Sequence, residues 1–163
     1  MIFLAVGTQK FPFDRLLMET DSLIERGILT EEVFAQTGTC KYTPVHFGYE
    51  GMLPKEDFEK RIRECSLLIT HSGVGTIISG IKAKKPVIVM PRLKKYGEHV
   101  DDHQLDIAKA FSDRGLVLMC GDGDSLGDSI KKAEGYKFTE YISSNKKAVE
   151  TVRAFLEETK RRN

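Results

Sequence analysis

Leu67-Leu68-Ile69-Thr70-His71-Ser72-Gly73-Val74-Gly75-Thr76-Ile77-Ile78-Ser79-Gly80-Ile81 runs through Lys82-Ala83-Lys84-Lys85 into Pro86-Val87-Ile88-Val89-Met90-Pro91-Arg92. Leu67 to Thr70 reads as a short strand buried on both faces. Ile77, Ile78 and Ile81 have the spacing of a buried helix, and Pro86 to Pro91 reads as the next strand. A strand, a helix and a second strand in this order make a crossover unit, whose two strands are parallel.

The same alternation extends both ways. Upstream, Ile2 to Val6 predicts a first buried strand ending at Gly7, and Phe13, Leu16, Leu17, Leu23 and Ile24 mark a helical stripe. Val33 to Gln36 predicts a second strand closed by Thr37-Gly38, and the stretch from Val45 to Tyr49 a third. Pro54 opens a helix, where its missing N–H costs nothing, with Phe58, Ile62 and Cys65 inward. Downstream, Leu105, Ala108 and Phe111 form a stripe, Leu116 to Met119 another strand, and Ser143 to Lys160 a last helix. The expected fold is α/β: an open parallel sheet flanked by helices in a single domain, 1–163.

Composition narrows the function. The chain has 163 residues, 25 basic and 24 acidic, for a formal charge of +1. That balance gives no case for nucleic acid. Cys40, Cys65 and Cys120 are three and scattered, so neither a disulfide framework nor a structural zinc site is expected, and a reducing cytoplasm fits. The opening segment lacks the basic start of a signal peptide, and no apolar run approaches the ~20 residues of a membrane span.

Ligands of open parallel sheets bind beyond the carboxyl ends of the strands. Two segments stand there. In Ser72-Gly73-Val74-Gly75-Thr76 the glycines permit a tight turn and close backbone approach, and the helix after it points free N–H groups at an anion such as a pyrophosphate. The loop is neither a Walker motif nor a full GxGxxG. The second segment holds Arg92, Lys94, Lys95, Tyr96, Glu98, His99, Asp102, His103 and Gln104. Three readings stay open for it: a sugar-nucleotide site, with Glu98, His99, His103 and Gln104 on hydroxyls and Arg92 or the lysines on phosphate; a metal site on His99 and His103; or a solvated helix start. Asp122-Gly123-Asp124 reads as a turn with Ser125 starting a helix, His46 as structural or partly exposed, Cys65 as core, and Lys82, Lys84 and Lys85 as a solvated helix end.

VGTQKFPFDRLL, LLITHSGVGTIISGIKAKKPVIVMPR and YGEHVDDHQLDIAK together resemble the C-terminal half of family 28 glycosyltransferases, the MurG-like group with the GT-B fold. The likeness is greatest to stand-alone halves: the catalytic subunit of the eukaryotic split transferase for dolichol-linked oligosaccharides, and the bacterial PssE-type subunit of exopolysaccharide and capsule synthesis. It runs from Met1 to about Leu118. The resemblance implies a donor-binding catalytic subunit of a two-component inverting transferase, using a UDP-sugar, a lipid-linked acceptor and no metal or other cofactor. It places Ser72 to Thr76 on the diphosphate, His103 and Gln104 on the donor sugar, and Gly7 and Thr8 along the cleft. A membrane-associated PssD-like partner would carry the general base, with His71 a lesser candidate, and would hold the chain at the inner face of the membrane. The isolated subunit would be inactive and prone to self-association near Gly7, Thr8 and Phe11. The glutamate that holds the ribose in the family is Ser79 here, so either Glu98 replaces it or the nucleotide is held less tightly. A non-catalytic enhancer of a partner transferase and an unrelated phosphosugar-binding module are the rival readings.

Overall fold

The computed structural model describes residues 1–141. The expected last helix, 143–160, lies outside the described residues. Six strands and five helices follow one another as β1 (Ile2–Ala5), α1 (Asp14–Glu25), β2 (Val33–Gln36), β3 (Gly48–Glu50), α2 (Lys55–Glu64), β4 (Leu67–Thr70), α3 (Val74–Lys82), β5 (Val87–Val89), α4 (His103–Ser112), β6 (Leu118–Met119) and α5 (Leu126–Gly135), with a 3₁₀ turn at Lys94–Tyr96. All pairings are parallel, in the order β3-β2-β1-β4-β5-β6. The open, Rossmann-like parallel sheet expected from the alternation is what forms.

Strand β1 shows why the sheet needs helices on both faces. Its neighbours are β2 and β4, with Leu4 opposite both Ala35 and Ile69. Successive side chains point to opposite faces. Ile2, Leu4 and Val6 therefore join Leu16, Leu17 and Leu23 of α1 and Leu126 and Ile130 of α5 in one core. Phe3 and Ala5 join Ile62 of α2, Ile77 and Ile81 of α3, and Ile107 and Phe111 of α4 in the other. Helix α3 packs closely because Gly80 has no side chain: a Cβ there would lie 2.6 Å from Leu68 and 2.9 Å from Val87.

The strands expected over Ile2 to Val6 and Pro86 to Pro91 are shorter, Ile2–Ala5 and Val87–Val89, and three other boundaries also differ. The third strand begins at Gly48 rather than near Val45, because Asp21 takes the amides of Val45 and His46 (2.8 Å each), which removes them from any ladder. Pro54 precedes α2 as its N-cap residue rather than lying inside it. Strand β6 is only Leu118–Met119, since Leu116 still bonds back to Phe111 of α4. Among the described residues, no helix is long and apolar enough to cross a membrane.

Candidate functional site

The strand order reverses between β1 and β4, and at such a switch point the two following loops part and open a crevice. Here it has a volume of about 420 Å³, a size that suits a small-molecule ligand. Gly7, Thr8 and Gln9 line it after β1, Gln36 at the end of β2, and Met52, Leu53, Lys55 and Phe58 on the approach to and along α2; His71, Gly73, Gly75 and Thr76 line it after β4. The structure thus brings the Gly7-Thr8 pair and most of the glycine loop together.

His71 is the wall between them. Its Nδ1 lies 3.3 Å from the Ala5 carbonyl and 3.2 Å from Thr70 Oγ1, whose own proton goes to Ala5 at 2.7 Å. Both neighbours are therefore acceptors, so Nδ1 carries the ring proton and Nε2 is left bare. Burial, with the Arg92 charge nearby, pushes the His71 pKa down to about 4, so the ring is neutral near pH 7. A Cβ on Gly7 would come within 2.6 Å of Nε2, and one on Gly73 closer still. Both glycines make a slot for this imidazole. Gly73 was expected to be glycine for a ligand's sake; the nearer cause is His71.

Gly75 is different, because nothing lies within 4 Å of where its Cβ would be. Helix α3 starts at Val74 with no side-chain cap, and its first internal bond runs from Ile77 N–H to the Gly73 carbonyl (3.0 Å). The amides of Val74, Gly75 and Thr76 are the unpaired donors that every helix start leaves over. They sit at the positive end of the helix dipole, beside the crevice. Ser72 is buried; its amide donates to Gln104 Oε1 at 3.3 Å, and its hydroxyl has no partner within the described residues.

The second segment is organised differently from expectation. Arg92 is 1% exposed and donates to the carbonyls of Val6 (2.5 Å), Phe11 (2.5 Å) and Glu98 (3.3 Å), with its guanidinium over the Phe13 ring. It braces the loop after β1 from within, and this corrects the reading of Arg92 as a phosphate contact. Glu98 is likewise engaged: both carboxylate oxygens accept from Arg15 at 2.9 Å, and one also accepts the Leu93 amide. It is no substitute for a ribose-binding glutamate. Ser79 turns its hydroxyl back to the Gly75 carbonyl (2.9 Å). Gln104 is buried, and its Oε1 accepts from Ser72 and Arg92 (3.3 and 3.1 Å), tying the loops after β4 and β5 together. His99 is buried, while His103 is half-exposed; their rings meet edge to face at 4.6 Å, with Asp101 between their Nδ1 atoms.

The sequence reading missed Arg15 and Gln36. Arg15 forms a bidentate pair with a residue 83 positions away, and Gln36 accepts the Leu53 amide at 3.0 Å; no local pattern announces either. Asp122-Gly123-Asp124 is the expected turn: Gly123 has φ +85°, Asp124 accepts the Gly121 amide, and Ser125 caps α5 through Asp128. Asp122 also holds Lys95 and the Tyr96 hydroxyl, fastening the two outer loops. Cys65 is in the core as read, and His46 lies against Asp21, partly exposed.

A parallel sheet in this order, with its crevice at β1 and β4, is Rossmann-like, and among such folds it matches one half of a GT-B glycosyltransferase. Solved structures agree in fold: the glycosyltransferase SnogD from Streptomyces nogalater (TM-score 0.56, 15% identity, 96% of this chain and 39% of that one) and MurG from Acinetobacter baumannii (TM-score 0.52, 22% identity, 80% and 39%). The chain belongs to glycosyltransferase family 28: residues 1–159 match the model of the glycosyltransferase family 28 C-terminal domain. Among curated proteins, it is 29% identical over 108 residues to the human UDP-N-acetylglucosamine transferase subunit ALG13, and 28% over 86 residues to that of Yarrowia lipolytica. These matches cover 66% and 51% of this chain but only 8% and 41% of the relatives, so the chain spans less than half the length of each.

Proposed function

We propose that this chain is the donor-binding subunit of a two-component inverting glycosyltransferase that moves a sugar from a UDP-sugar to a lipid-linked acceptor in exopolysaccharide or capsule synthesis. The observation that carries the reading is the uncapped start of α3 opening onto the switch-point crevice. Three free amides there suit a diphosphate without a metal, and the same positive helix end stabilises the charge that builds on departing UDP. A contribution of about 1 kcal/mol from a helix terminus would be worth roughly fivefold in rate.

A GT-B site needs a second half across the crevice. We assign the acceptor and the general base to a membrane-associated, PssD-like partner, which would also keep this chain at the inner face of the membrane. His71 is poorly suited as the base: a ring with a pKa of about 4 takes up a proton weakly near neutral pH. His103 and the amide of Gln104 face the donor sugar in this reading. Relatives described as subunits of a UDP-N-acetylglucosamine transferase support the donor class and the division of labour.

The test titrates the full chain with UDP by calorimetry in EDTA, then measures transfer to a lipid-diphosphate acceptor with and without the partner. Gly75→Ala puts a methyl group among the three amides and is expected to weaken UDP at least about tenfold while leaving the fold intact. Unchanged affinity would place the nucleotide elsewhere. Absence of UDP binding together with stimulation of the partner would favour the enhancer reading, and robust transfer by the chain alone would overturn the split enzyme.

A further inference from the structure

We propose that His99, Asp101 and His103 form a binding site for a divalent transition-metal ion of the zinc type, at the loop between β5 and α4. One ligand atom from each of the three residues lies within 4.8 Å of the others, the only such trio of histidine, cysteine or acidic side chains among the described residues. The set is chemically apt. Two imidazole nitrogens and one carboxylate oxygen suit zinc and the neighbouring first-row ions, whereas magnesium and calcium favour oxygen.

His99 supplies the second observation. It is buried to about nine-tenths, yet among the described residues the only hydrogen bond of its ring is a long one, 3.4 Å, from the Asp101 amide to Nδ1. Accepting that amide proton means Nδ1 presents a lone pair. It does so 3.2 Å from Asp101 Oδ1, an oxygen that also accepts hydrogen bonds from His103 Nδ1 and from the His103 amide. A divalent ion would take up the Nδ1 lone pair of His99 and displace the proton shared by His103 and Asp101, leaving three ligand atoms around one centre. Metal–ligand bonds of about 2.0–2.2 Å would put the ligand atoms roughly 3.3–3.5 Å apart in a tetrahedron, so small side-chain rotations complete the site.

The site has a fixed side and an open one. His99 packs against the Phe11 ring (5.9 Å between centroids), which holds its imidazole in place. The Asp101 and His103 side chains are 50% and 38% exposed, so a fourth position faces solvent. Gln104 follows His103 at the start of α4 and reaches the glycine-loop side at Ser72. An ion here would stand beside the donor-sugar side of the crevice while leaving the α3 amides free. Resting on the donor reading above, a bound ion withdraws His99 and His103 from the sugar and weakens UDP-sugar more than UDP.

The experiment titrates the full chain with Zn²⁺ against a chromophoric chelator and records the visible spectrum with Co²⁺. One equivalent is expected to bind, and His103→Gln and Asp101→Asn to weaken it at least about tenfold, a loss as large as removal of a metal's outer-shell partners gives. Neither side chain is in the core, and the amide oxygen that Asp101→Asn keeps can still accept the His103 amide; far-UV circular dichroism of both variants checks that the fold is kept. His46→Gln should leave the affinity unchanged. No zinc binding by the parent chain, equal binding by the two variants, or a sulfur-to-cobalt charge-transfer band pointing to Cys40 overturns the site. UDP and UDP-sugar titrations with and without Zn²⁺ are read separately: zinc that binds without changing UDP-sugar affinity leaves the metal site standing and overturns its place beside the donor.

Discussion

Substituting Gly73 by alanine separates two reasons for that glycine. Its backbone angles, φ −74° and ψ 111°, suit alanine without strain. On backbone grounds alone the change stabilises by about 0.4–1 kcal/mol through the unfolded chain. The new methyl group, however, would overlap the His71 ring at Nε2 and Cε1. The imidazole has little room to retreat, because Gly7 flanks it on the other side and Nδ1 is held by Ala5 and Thr70. Overpacking of this kind costs about 1–3 kcal/mol. The net loss for Gly73→Ala should be roughly 1–2 kcal/mol, which moves a urea midpoint by about 1 M for a slope near 1.5 kcal/mol per M. In a His71→Ala background the overlap is gone, and adding Gly73→Ala should be neutral or stabilising by up to about 1 kcal/mol. Urea unfolding of the four proteins gives the coupling directly. An equal loss in both backgrounds would refute the slot argument and return Gly73 to a purely ligand-related role.

Two further outcomes follow from the same neighbourhood. Between pH 6.5 and about 4 the unfolded chain protonates at His71 while the folded chain does not, so stability should fall by up to about 1.4 kcal/mol per pH unit as pH drops through this window and level off at His71's contribution below it; His71→Gln should remove that limb of a stability–pH curve. Arg92→Met should strand the carbonyls of Val6, Phe11 and Glu98; with each buried unpaired acceptor costing about 1–3 kcal/mol, thermal unfolding should show a loss of about 3 kcal/mol or more, and a result within 1 kcal/mol of the parent would deny Arg92 its bracing role.

Buried strands were legible because their apolar runs are short, dense and bounded: Val33–Gln36 and Leu67–Thr70 fall where the residues alone put them. The third strand slipped because Asp21, on a distant helix, competes for the amides of Val45 and His46, and propensity carries no record of such a competitor. In the site, the glycine loop was visible through its own spacing. Arg92 and Glu98 look like ligand groups in a list of polar residues, yet their partners are Val6, Phe11 and Arg15, more than 75 positions upstream. Charge density drew attention to this loop but could not say which charges the protein uses for itself.

The amide of Gln104 has its direction fixed. Two backbone N–H groups, from Ser72 and Arg92, converge on its oxygen, so rotating the amide by half a turn would set donor against donor twice. Its NH₂ group is what remains for anything outside the protein. Under the donor-binding reading proposed above, a sugar at this residue would be read by polarity as well as shape: an acetamido carbonyl, a ring oxygen or a carboxylate can accept from Gln104, whereas an ammonium group finds only another donor. Selection among donors at this point would then be made by lone pairs, and its direction would be set by the bonds that tie the two loops together, before any substrate arrived.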